Sequence, residues 1–195
     1  MGKIRDIGSL AGGLLVCFYV LFTVIAYCRY PMAYSPLTNW LSDLGSHVLN
    51  PHGAVFYNTG IVITGLLIFI FFLGLRRLII KDNRRQKAMV FVTQGFGFLG
   101  AIALIMSAVY SIDVLNLHSF WSVSMYVMLG TAFGFSVAAL RYHPACPKWL
   151  LACGIIVALT DILSGVFGAS HTMEWVTVAL FLFYVSAIVI GTKRI

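Results

Sequence analysis

The sequence predicts an all-α, polytopic membrane protein, a six-transmembrane-helix bundle with a short amphipathic helix in its first outer loop. Three observations carry that prediction. Of its 195 residues 61% are hydrophobic and only 10% charged, whereas soluble domains carry about a quarter charged residues. Apolar runs of about twenty residues, long enough to cross a hydrocarbon core of about 30 Å, recur six times. Short connectors join the runs, so residues 1–195 form a single six-helix domain.

The runs lie near residues 8–28, 53–75, 88–110, 119–140, 149–168 and 175–191. The first lacks a small-residue cleavage site and reads as a retained signal anchor. Its Gly8 and Gly12 are spaced for close helix approach. The second carries Asn58, Thr59 and Thr64, and a buried asparagine needs a partner on another helix or in the polar segment above. In the third, Gly95 to Gly100 matches a dinucleotide-binding glycine pattern. No strand precedes it and it lies inside an apolar span, so helix packing is its role. The fourth follows His118 and contains Gly130 and Gly134, another packing spacing. In the fifth, Asp161 stands thirteen residues past Lys148, a rise of roughly 20 Å, and so within hydrocarbon depth. Intramembrane carboxylates mark polar pockets or pathways.

Charge sets the expected orientation. With the N-terminus inside, twelve basic residues fall on the cytoplasmic side and Arg29 alone outside, which places both termini in the cytoplasm of a cell-membrane protein. The basic run Arg76 to Lys87 lacks interleaved aromatics and lies between two spans, so it faces lipid headgroups rather than nucleic acid. The four cysteines form no disulfide framework or metal motif.

The one long polar passage runs from Ser35 to Gly53. Ser35-Pro36 is a helix start and Gly45 a stop, with Leu37, Trp40, Leu41 and Leu44 at helical spacing on one face. Asn39, Ser42 and Asp43 share the other face. An amphipathic helix lying on the membrane is expected, its polar face turned toward Asn58, Asp113, His118 and His171. On this topology Asp43, Asp113, Asp161 and Glu174, with His47, His52, His118 and His171, gather in the outer half. Imidazoles and carboxylates bind first-row metals and activate water.

The residues Ser35 to Gly45, Phe56 to Gly60 and Gly65 resemble the domain-of-unknown-function 998 family of six-span membrane proteins. The matches are its Ser-Asp/Glu-Leu-Gly element, its Asn-x-Gly, and its Asp and His around the turn between spans three and four. The resemblance favours Ser42, Asp43, Asn58, Asp113 and His118, and adds Asp161 and His171. A more distant similarity is to ceramidase-type intramembrane metal hydrolases, although the last span here lacks their His-x-x-x-His pair.

Three functions are therefore expected to compete. The first is a metal-assisted hydrolase or transferase acting on a lipid. In it Asp113, His118 and His171, with Asp161 beneath, hold a divalent metal such as zinc or share general acid/base duty, Ser42 or Asp43 positions substrate, and Asn39, Asn58 and Glu174 complete the pocket. The second is a non-catalytic lipid-binding or accessory subunit. The third is a small transporter. Membrane lipids are the expected partners, and an oligomer or partner subunit stays open.

Overall fold

A computed structural model describes the backbone of residues 2–192 and the side chains of residues 7–192. Six long helices are present: α1 (Gly2–Tyr27), α2 (Ala54–Gly74), α3 (Arg84–Val109), α4 (Leu115–Leu140), α5 (Lys148–Phe167) and α6 (His171–Gly191). All six are long and apolar enough to cross a membrane. Each packs against its neighbours in the chain, and α1 packs against α6, so the bundle closes into a ring.

Capping residues set several of the ends. The Asn83 side chain accepts from Gln86 N at 2.9 Å and starts α3 four residues before the apolar run. Ser170 does the same for α6, accepting from Met173 N at 3.3 Å. Gly168 ends α5 with φ +83°, a conformation side chains resist.

Without water between helices in a bilayer, close packing replaces the hydrophobic effect, and small residues permit it. A Cβ on Gly8 would stand 2.6 Å from Gly74 Cα, so α1 and α2 meet backbone to backbone. Gly12 faces Val189 of α6, Gly100 faces Leu129, and Gly130 faces α5 at Ala158 and Ile162. Between these contacts lies an aromatic core of Phe71, Phe72, Phe133, Phe181 and Tyr184.

At one end of the bundle Arg77 hydrogen-bonds Ser9 of α1 and, at 2.5 Å, Thr192 beyond α6. The opposite end carries the α1–α2 connector, residues 28–53.

The connector departs from the expected amphipathic helix. Residues 36–39 form a turn, and only Leu41–Gly45 is helical, as a 3-10 helix. The Ser35 hydroxyl accepts from Leu37 N and the Asn39 side chain accepts from Ser35 N, and such local bonds compete with the helix. Nor does it lie on a surface. All five residues of the 3-10 helix are buried, while Leu37 is 74% exposed. Leu41 and Leu44 enter an apolar cluster with Tyr19, Ala26, Tyr57, Ile61 and Ala108, so the connector plugs the mouth of the ring.

Candidate functional site

A short helix buried in a bundle mouth exposes unsatisfied amides at its start, and these need an acceptor. Glu174, in the first turn of α6, supplies it: its Oε2 accepts from Leu41 N at 2.6 Å and Ser42 N at 3.4 Å. Three further ties hold the plug. Asn58 Nδ2 donates to Gly45 O at 2.9 Å. The fully buried Asn50 donates to Leu44 O at 3.0 Å and Ala26 O at 3.1 Å. Asp113, between α3 and α4, accepts from Ser46 Oγ at 2.5 Å, His47 N at 2.7 Å and Ser111 Oγ at 3.1 Å.

Beneath and beside the plug lie three adjoining spaces. A groove of about 510 Å³ runs along the start of α4, facing the end of α5, the α5–α6 turn and the start of α6. Leu115, Val123 and Ile112 give it apolar walls; Ser42, His118, Ser119, Ser122, Tyr126, Ser164 and Glu174 give it a polar end. A smaller cavity under the plug shares Ser42, His118, Ser122, Tyr126 and Glu174 with the groove and adds Tyr19, Tyr57 and Asn58. A third pocket, of about 40 Å³, shares Tyr19 and Tyr126 with the second and reaches Asp161. No Lys or Arg lines any of the three.

His118 is oriented by its backbone. Its Nδ1 lies 2.9 Å from both Ser107 O and Tyr110 O, carbonyls at the end of α3. Two acceptors there place the proton on Nδ1, which leaves the Nε2 lone pair for the cavity. Such an imidazole can accept a proton from a bound molecule or bind a cation.

Of the residues expected from the sequence, Ser42, Asn58, His118 and Glu174 come together on one cavity. The remaining ones are elsewhere. Asp161 lies one pocket deeper. Asp43 turns back to accept from Trp40 N at 2.9 Å, and His171 packs on the Trp40 ring with centroids 4.3 Å apart. Asn39 closes its own turn, accepting also from Thr38. His47 and His52 are exposed. Asp113 grips the connector. Among the described residues no three His, Cys, Asp or Glu side chains converge to hold a metal ion. The set Asp113, His118, His171 and Asp161 is thus spread over four environments and does not fit a shared metal. The cysteines are free.

Sequence reasoning passed over Tyr19, Tyr57 and Tyr126, whose hydroxyls line these cavities, and Ser46 and Asn50, which tie the plug.

Burial disfavours charge on both connector carboxyls, with opposite outcomes. For Asp43 burial dominates and raises its pKa, despite bonds from Trp40 N and Asn39 and the nearby His171. For Asp113 the bonds from Ser46, His47 N and Ser111 together outweigh burial and lower it. A lowered folded pKa gives stability that is present above the ordinary carboxylate range and lost as pH falls through the lowered value. The melting temperature of wild type should therefore exceed that of Asp113→Asn at neutral pH, and the gap should close under acid. Solvent screening at this exposed residue limits the gap to about 1 kcal/mol or less. An unchanged gap at acid pH would show that the charge is not what holds the connector.

The fold and site define a multi-pass membrane protein, a closed six-helix ring whose polar cavities are plugged at one end. The chain belongs to the family described as protein of unknown function (DUF998), whose model matches residues 10–192. No curated protein and no solved structure matches the chain, and the similarity to ceramidase-type hydrolases finds no support among these comparisons.

Proposed function

We propose that this protein binds a membrane lipid in the groove between α4 and α5. The observation that carries the reading is the groove itself: about 510 Å³, with an apolar wall of Ile112, Leu115 and Val123 along α4 and polar groups at its end, in the size range of small-molecule sites. An acyl chain fits the apolar walls and its head meets Ser42, His118, Ser122 and Glu174. With no Lys or Arg along the groove and one carboxyl at its end, the matching head is uncharged or cationic rather than a phosphate. The excess of basic residues at the opposite end supports a groove in the outer leaflet of the cell membrane, with both termini cytoplasmic.

Native mass spectrometry of the purified protein tests the reading. A bound lipid is expected with wild type, and Ser122→Trp, which fills the groove, should lose it while retaining a cooperative thermal transition. Equal lipid on both proteins, or none on wild type, overturns it.

One observation favours a catalytic form of the same reading. The fixed His118 tautomer presents a base beside the Ser42 hydroxyl and the Glu174 carboxyl, which is the equipment for hydrolysis of, or transfer to, a lipid head. His118→Ala should then retain lipid binding and abolish turnover. The zinc-assisted version needs further donors beside His118, and elemental analysis of the same preparation tests for a stoichiometric metal.

A further inference from the structure

Asp161 is only 3% exposed and has no hydrogen-bond or ion-pair partner among the described residues. It lines the deepest of the three spaces, about 40 Å³, with Thr64, Thr177, Tyr126 and Tyr19. A buried carboxylate without a partner is costly, so the site requires a proton or a cation.

The two threonine hydroxyls around it are already committed as donors. Thr64 Oγ1 donates to Gly60 O at 2.8 Å, and Thr177 Oγ1 to Glu174 O at 2.9 Å or Met173 O at 3.0 Å. Both threonine oxygens therefore keep lone pairs free at the cavity that Asp161 also lines. An all-oxygen set with one negative charge matches a hard monovalent cation, since hard cations take oxygen ligands and a divalent ion would leave a positive charge uncompensated in the membrane. The volume admits the ion and a water.

The approach carries the same sign. The cavity above shares Tyr19, Leu104, Met125 and Tyr126 with this one and holds Glu174 and His118, and among the described residues no Lys or Arg lines either. The geometry points to a sodium-type monovalent cation site at Asp161, reached from the plugged end past Glu174.

Thermal unfolding of the purified full chain in detergent, with sodium chloride replacing choline chloride at constant ionic strength, tests this site. Wild type should gain several degrees, saturably, by binding linkage. Asp161→Asn should lose the response, and Thr64→Val, which removes one oxygen, should shift its midpoint to at least tenfold higher sodium. An equal rise in Asp161→Asn overturns the proposal. So does a wild type indifferent to sodium but destabilised as pH rises, the behaviour of a neutral carboxyl on trapped water. Should Asp161→Asn fail to fold, an unshifted midpoint in Thr64→Val overturns it alone.

Discussion

Glu174→Ala should lower the melting temperature by on the order of 10 °C. The substitution removes the acceptor for Leu41 N and Ser42 N, amides at the start of a buried 3-10 helix that no other described group receives. Each buried donor left unpaired costs about 1–3 kcal/mol. The 2.6 Å bond to Leu41 carries more of the loss than the 3.4 Å bond to Ser42. Glu174→Gln keeps a carbonyl oxygen in the same place and should recover most of the stability. Trp40 and Trp175 flank the plug, so tryptophan fluorescence during heating reads the effect where it arises. If the alanine variant melts with wild type, Glu174 is not what anchors the plug.

Gly74→Leu should abolish recovery of folded, monodisperse protein. At the Gly8–Gly74 crossing a Cβ meets backbone rather than a side chain able to swing aside, so the helices must part. Overpacking of a well-packed site costs about 1–3 kcal/mol when side chains can adjust, and here they cannot. Gly13→Leu is the control: it lies on the same helix as Gly8, with nothing within 4 Å of its Cβ, and should behave as wild type. Size-exclusion profiles of the two variants decide the point. Matching profiles would place the α1–α2 contact outside what assembly requires.

The spans were legible because apolar length is an unambiguous demand of the bilayer. Their starts were less so. Arg84 to Lys87 and His171 to Glu174 look polar in an apolar window, yet they are the first turns of α3 and α6, fixed by Asn83 and Ser170. A cap reads the backbone, and hydropathy does not. Ser35-Pro36 shows the converse, a good helix start overruled by side chains that bond their own turn.

The site divides in the same way. Ser42, Asn58, His118 and Glu174 stood out as polar groups at one end of an apolar chain. Tyr19, Tyr57 and Tyr126 did not, because a tyrosine in a span counts as apolar until its hydroxyl is seen to face a cavity. Clustering by topology also could not separate Asp113, which ties a loop, from Glu174, which lines a pocket. Both sit at the same end and hold the connector, and only the cavities that Glu174 lines distinguish them.

The bond between Leu41 and Glu174 joins residues 133 apart in the chain, and the acceptor lies on the last helix. During synthesis the first five helices can enter the membrane and pack in turn while the connector still lacks that partner. Insertion of α6 therefore does two things at once: it closes the ring against α1 and supplies the carboxylate that seats the plug. The order of synthesis makes sealing of the mouth wait for α6, and a chain arrested before α6 would present an open, hydrated vestibule to whatever quality control inspects it.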